Sequence, residues 1–151
     1  LTAAPVFADG LTANFDYRIV EKNSGGEEML VERKSVRPGE MIHYTLTHEN
    51  GTEDDLSNLV ISGPIPEGAV LVSGNESSSV PATFEVQAEM DEDLPGLEWS
   101  TLPALRKVVA EDGSETLEPV PAADIVAVRW TLEGALESGL SALNSYRVIV
   151  N

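Results

Sequence analysis

The sequence predicts an all-β fold, an antiparallel β-sandwich of about eight or nine strands. Three observations support this prediction. Apolar residues recur at every second position through most of the chain, which is typical of strands with one buried face. Turn residues, including Pro-Gly and Gly-Pro pairs, separate these runs roughly every 8–12 residues, a spacing typical of sandwiches. Of the 151 residues, 42% are hydrophobic, which is enough for the core of one domain.

The first half of the chain contains most of the regular strands. A weaker run covers residues 29–34. The clearer runs place their apolar side chains on one face each, and these are Phe15, Tyr17 and Ile19; Ile42, Tyr44 and Leu46; Leu59 and Ile61; Val70 and Val72; and Phe84, Val86 and Ala88.

The second half is irregular before the alternation returns. Residues 90–123 contain only a short apolar run at 105–109 and several turn-like stretches. We expect Trp130 in the core and Trp99 either in the core or partly exposed. The last two strands are predicted from the alternating sets Val126, Val128, Trp130 and Leu132, and Tyr146, Val148 and Val150.

Proline and glycine mark the predicted corners. Pro38-Gly39 favours a turn that leads into a strand, and Asn50-Gly51 predicts a tight turn. The prolines of GPIPEG, residues 63–68, lack backbone donors, so this segment should lie at a corner or a sheet edge. The last strand, SYRVIV at 145–150, shows no obvious edge protection, which predicts self-association through edge strands.

The composition excludes several classes of function. There are 26 acidic and 9 basic residues, for a formal charge of −17. This charge disfavours binding to nucleic acid or anionic lipid. It suits solubility or a salty habitat, and the sharper interpretation is a surface that holds cations or a basic partner. No cysteine is present, so disulfides, Cys-ligated zinc and thiol catalysis are excluded.

The first ten residues, LTAAPVFADG, resemble the end of a secretory signal. The small residues Val6 and Ala8 take the −3 and −1 positions before Asp9. Residues 1–8 are therefore predicted to be a signal-peptide remnant or, alternatively, a flexible arm, and residues 9–151 a single sandwich domain. The apolar stretch is too short to span a membrane, so we expect export without membrane insertion.

Catalysis finds little support in the sequence. The two histidines, His43 and His48, are five residues apart in one predicted strand and so lie on opposite faces, where they cannot converge on one metal or substrate. None of the sequence motifs typical of phosphate-binding loops, zinc peptidases or serine hydrolases occurs. We therefore expect a protein that is not an enzyme.

An acidic turn is the remaining candidate for binding chemistry. Its carboxylates, Glu89, Asp91, Glu92 and Asp93, are candidate ligands for calcium, although the spacing is not that of an EF-hand loop. Trp99 follows shortly after and is a candidate for contact with a glycan or other ligand. Calcium is the only cofactor that the sequence suggests.

The order of these segments resembles a bacterial family of secreted and surface repeats, the conserved-repeat modules called domain of unknown function eleven. The resemblance covers residues 36–150. It rests on RPGEMIHYTLTHEN at 37–50, LSNLVISGPIPEGAVLVSG at 56–74, FEVQAEMDEDLPGLEW at 84–99 and IVAVRWTLEGALESGLSALNSYRVIV at 125–150. Gly63 replaces the usual Asp before the Pro corner, and the acidic turn is longer. The resemblance implies an immunoglobulin-like sandwich outside the cytoplasm and brings no catalytic residues.

The sequence therefore predicts an exported, non-enzymatic β-sandwich with a structural or protein-interaction role at a bacterial cell envelope. The protein would be periplasmic, extracellular or on the cell surface, and its partner would be another protein or a second copy of the chain. The alternative is a calcium-assisted glycan- or ligand-binding domain of the lectin or adhesin kind. Either function is expected in residues 90–123, because irregular segments on a rigid frame commonly carry binding sites.

Overall fold

The computed structural model describes residues 3–8, as backbone, and residues 10–151. Within them the chain forms twelve strands and no α-helix, which confirms the all-β prediction. The bounds are β1 Ala3–Ala8, β2 Leu11–Lys22, β3 Glu28–Val31, β4 Met41–Asn50, β5 Val60–Pro64, β6 Ala69–Ser78, β7 Ala82–Ala88, β8 Glu98–Ser100, β9 Leu105–Val109, β10 Glu115–Pro119, β11 Ala127–Leu132 and β12 Ser141–Val150, with a 3-10 turn at Ala122–Asp124.

The first sheet has the order β1-β2-β4-β12-β6, and β3 pairs with β2. Its strand pairs are antiparallel. The strand SYRVIV belongs to β12, which lies between β4 and β6, so the prediction that it forms an exposed edge is wrong. Alternation along a strand reports which face is buried, whereas strand order depends on pairing with distant segments.

The second sheet has the order β5-β11-β7-β8, again antiparallel. The first part of GPIPEG ends β5, an edge strand, which confirms the prediction for this segment. β9 and β10 form a separate hairpin in the irregular segment. The strands β1, β8 and β10 lie outside the predicted runs, so the structure has twelve strands where alternation indicated eight or nine.

Buried residues from both sheets form one core, the arrangement of a sandwich. A row of aromatic rings crosses it. Tyr44 stacks on Phe15 and on Tyr146 with centroids 5.1 Å apart in each case, and Trp130 contacts Phe84 at 5.1 Å and Tyr146 at 6.0 Å. The buried position of Trp130 confirms its predicted core role.

The alternating set that predicted β11 departs from the structure at one residue. Val128, Trp130 and Leu132 are buried, but Val126 is 43% exposed. Val126 directly precedes β11. Its backbone N–H donates to the carbonyl of Gln87, and its carbonyl accepts from the Ile65 N–H. The buried face that the other three residues share does not extend to Val126.

The chain crosses between the sheets after Asn50. The Asn50-Gly51 pair predicted a tight turn, but residues 51–59 instead lead from β4 to β5 in the other sheet. The buried Asn50 amide donates to the carbonyls of Asp54 and Leu136, each at 2.8 Å. Its carbonyl oxygen accepts from the Thr52 N–H and hydroxyl. This asparagine thus joins two loops at one end of the sandwich.

The structure describes only part of the segment that was predicted to be a signal-peptide remnant or a flexible arm. Leu1, Thr2 and Asp9 lie outside the described residues, and the backbone of residues 3–8 forms β1 antiparallel to β2. A secretory origin for this segment stays a prediction. In the part of the chain that the structure describes, no helix combines the length and apolar character needed to cross a membrane.

Candidate functional site

A cleft of about 570 Å³ lies between the end of the second sheet and the β9–β10 hairpin. It falls in the irregular segment where the sequence predicted a site. Three parts of the chain build its walls: the acidic turn after β7, the hairpin, and the segment that leads into β11. The lining residues are Glu89, Met90, Asp91, Glu92, Leu97, Arg106, Lys107, Val108, Val109, Glu118, Ala123, Asp124 and Val126.

A backbone hydrogen bond ties the hairpin to the turn after β7, because the Lys107 N–H donates to the Met90 carbonyl at 2.8 Å. The Val120 N–H donates to the Ala104 carbonyl at 2.9 Å and closes the base of the hairpin itself. At the tip, Gly113 adopts φ +88°, the left-handed conformation that glycine adopts without strain. The sequence signals were the apolar run at 105–109 and the EDGSE turn, which our sequence interpretation did not combine with residues 115–119 into a hairpin.

Lys107 occupies the centre of the acidic turn. Its Nζ lies 2.7 Å from Asp93, 3.1 Å from Asp91 and 3.8 Å from Glu115. Hydrogen bonds to Asp93 and Asp91 raise the pKa of Lys107. The pKa of Asp91 is lowered, first by the Asp93 N–H and then by Lys107. The protein thus supplies its own cation to the carboxylates that were candidate calcium ligands.

The described residues provide no cluster of three or more His, Cys, Asp or Glu side chains placed to hold a metal ion. Of the four candidate ligands, Asp91 and Asp93 converge on Lys107. Glu89 and Glu92 lie on the cleft lining with exposed side chains. Calcium binding stays a prediction of the sequence to be tested by experiment.

A second basic residue is also paired within the cleft. Arg106 donates from Nε and Nη2 to Glu118 at 3.0 and 2.8 Å, and from Nη1 to Asp124 at 3.2 Å. Together, Arg106 and Lys107 form ion pairs with three of the five carboxylates on the lining. Among the cleft carboxylates that the structure describes, Glu89 and Glu92 are the two without an ion pair.

The remaining walls of the cleft are apolar. Leu97 and Val126 are 46% and 43% exposed, and Val109 is also exposed. Val108 is half-buried beside them, whereas Met90 is buried. Partly exposed aliphatic side chains in a concave site are typical of a surface that buries part of a ligand. The exposure of Val126, which departs from the predicted pattern, thus contributes directly to this site.

Trp99 lies on the outer face of β8, close to Leu97 in the chain, and is half-buried. The guanidinium carbon of Arg129 lies 4.2 Å from its ring centroid, a cation–π contact. Arg129 is held in turn by Glu85, with Nη2 and Nε each 2.9 Å from the carboxylate oxygen. One face of the candidate ligand-binding ring is therefore already covered by the protein.

The histidines lie on opposite faces of β4, as the sequence predicted. Nδ1 of His43 accepts from Nε of Arg147 at 3.1 Å on the outer face, and burial followed by this arginine lowers the pKa of His43. His48 pairs with Ala13 and Ala142 on the inner face, where burial lowers its pKa. Neither histidine lines the cleft.

Comparison with known proteins does not assign the chain to a family. No family model matches the chain, and neither a curated protein nor a solved structure shows significant similarity to it. The likeness of residues 36–150 to the bacterial repeat modules therefore stays a prediction.

Proposed function

We infer that the protein is a non-enzymatic interaction module whose partner binds in the cleft between the second sheet and the β9–β10 hairpin. The composition of the cleft supports this function. Exposed aliphatic side chains form part of its walls, and no described residue that lines it carries a hydroxyl, thiol or imidazole group. The described lining therefore offers no serine, threonine or cysteine nucleophile and no histidine base, and the amine of Lys107 is engaged by Asp91 and Asp93. Binding needs only a shaped, partly apolar surface.

The setting that we propose is the outside of a bacterial cell, at the envelope. Support comes from the signal-like start of the chain and from the resemblance of residues 36–150 to exported immunoglobulin-like repeats. An immunoglobulin-like connection of the two sheets is part of this proposal. The rigid sandwich would present the hairpin and the acidic turn to the partner.

The alternative, calcium-assisted binding of a glycan or another ligand, has less support. It would use the acidic turn and Trp99. Calcium would have to displace the Lys107 ammonium from two carboxylates. A sugar stacking on the Arg129 side of Trp99 would likewise have to displace that guanidinium.

Panning a random-peptide phage library on the immobilised protein tests the interaction function. The blocking variant is Val126→Arg, which places a long charged side chain on the cleft wall. Val60→Arg is the matched control, because Val60 is also an exposed valine but does not line the cleft. Circular dichroism and thermal melts first establish that both variants are folded.

We expect clones to be enriched on the wild type and on Val60→Arg but lost on Val126→Arg. Equal enrichment on all three proteins would show that the cleft is not the binding surface. Failure to enrich any clone on the wild type would count against the function itself.

A further inference from the structure

We propose that the segment bound in the cleft carries a basic side chain next to an aliphatic one. This inference rests on the proposed interaction function and specifies the chemistry of the partner. Glu89 and Glu92 would receive the lysine or arginine, and the side chains of Leu97 and Val126 would receive the aliphatic group. Charge and exposed apolar surface support the two halves of the proposal separately.

The charges of the cleft select a cation. Five carboxylates and two basic side chains line it. Both basic groups are fully engaged, because Arg106 binds Glu118 and Asp124 while Lys107 binds the acidic turn. An anionic ligand would have to break these pairs and would meet the remaining carboxylates. A cation meets Glu89 and Glu92, which form no ion pair in the described structure, and breaks no existing contact.

The exposed aliphatic residues of the cleft favour a partner that carries an aliphatic side chain as well as a positive charge. Leu97 and Val126, from separate segments of the chain, each retain more than two fifths of their exposure. A partner's aliphatic side chain that packs against these residues would remove apolar surface of both molecules from water. A bare metal ion would gain nothing from them. The same carboxylates would serve it poorly, since no metal-binding cluster is found among the described residues.

The size of the cleft indicates that it would bind a short segment of the partner. A volume of about 570 Å³ is within the range of pockets that enclose small ligands or a few side chains. The hydrogen bond from the Lys107 N–H to the Met90 carbonyl fixes the hairpin to the turn after β7, and the bond from Val120 to Ala104 closes the base of the hairpin. A preformed site of this kind binds without the cost of ordering its own loops.

The probes are three fluorescein-labelled hexapeptides with blocked ends, measured by fluorescence anisotropy on the full chain. The first alternates lysine with leucine, the second glutamate with leucine, and the third lysine with serine. The protein variants are Glu89→Gln/Glu92→Gln and the control Glu67→Gln/Glu133→Gln. The control removes the same charge from two exposed glutamates that do not line the cleft.

We expect the lysine–leucine peptide to bind the wild type and the control double variant equally. Loss of two exposed ion pairs should raise its Kd about fivefold in Glu89→Gln/Glu92→Gln. Loss of the buried leucines should weaken the lysine–serine peptide about tenfold. The glutamate–leucine peptide should not bind detectably.

Two results would overturn the partner chemistry. Equal weakening in both double variants would show that the peptide responds only to the net charge of −17. Cleft-dependent phage clones that are acidic or uncharged, with no binding of the lysine–leucine peptide, would also overturn it while the interaction function stands. If phage panning yields no cleft-dependent clones at all, that separate result contradicts the proposed interaction function itself.

Discussion

The ring of Tyr146 lies directly against Gly63 across the sandwich. A methyl carbon built on Gly63 would come 2.6 Å from the Tyr146 hydroxyl oxygen and 2.8 Å from a ring carbon. The hydroxyl donates to the carbonyl of Pro64 at 2.6 Å. Tyr146 belongs to the central strand β12 and Gly63 to the edge strand β5, so this contact ties the two sheets together. Gly63 is thus required here because any side chain would occupy the position of the tyrosine.

Gly63→Ala should destabilise the protein by about 1–3 kcal/mol, because the new methyl group overpacks the core. The φ of Gly63 is not in the left-handed region, so the loss would reflect steric conflict with Tyr146. Chemical denaturation measures the change. Gly134→Ala is the control, since a methyl group there meets nothing within 4 Å. Equal stabilities for the two variants would contradict the contact.

Asn50→Ala should destabilise the protein by about 2–4 kcal/mol, because the buried amide joins two loops and its loss leaves their polar groups unpaired. Urea denaturation measures the loss. The control is Asn75→Ala, an exposed position where we expect a change within about 0.5 kcal/mol. A neutral Asn50→Ala would show that the loops are held by other contacts.

Glu40 should make stability depend on pH in the acidic range. Hydrogen bonds from the Arg33 side chain and then the Arg37 N–H lower the pKa of Glu40 from 4.5 to about 2. The folded state therefore favours the charged form. Its stabilisation is fully present above the unfolded-state pKa, near 4.5, and is lost as the pH falls through the folded-state value, about 2.

Thermal melts from pH 2 to pH 7 on the wild type and Glu40→Gln test this linkage. The variant should melt at a lower temperature than the wild type at pH 7, and the difference should shrink as the pH falls below about 4.5. Glu67→Gln, at an exposed position, should follow the wild type throughout. A Glu40→Gln difference that is independent of pH would contradict the ion pair.

Calcium should not stabilise the wild type specifically, because the Lys107 ammonium already forms ion pairs with Asp91 and Asp93. Thermal melts with EDTA, millimolar calcium or millimolar magnesium at matched ionic strength provide the measurement. A ligand at about 100 times its Kd adds about 2.7 kcal/mol, so binding would move the midpoint by several degrees. A rise with calcium that magnesium does not reproduce would restore the lectin or adhesin alternative.

The irregularity of residues 90–123 predicted a binding surface in this segment. Ten of the thirteen residues that line the cleft belong to it, and binding of a partner there is the proposed function. The acidic turn read by itself suggested calcium ligands. Its actual cation, Lys107, is 14 residues away from Asp93 in the chain and is delivered by a hairpin. Because separation in sequence does not report which side chains meet, the pairing could not be read from the local pattern.

By itself, the sequence determined the all-β class, the inner and outer faces of most long strands, the buried position of Trp130 and the separation of the two histidines. These features follow from the two-residue period of a strand, which local side-chain order encodes directly. The prediction for β6 was wrong, because the side chain that enters the core there is Leu71 and not Val70 or Val72.

Only the tertiary structure decided that β12 is central and that Gly63 receives Tyr146. It also decided that Val126 and Leu97 line the same cleft. Such features depend on which distant segments pair, and long-range packing fixes that pairing.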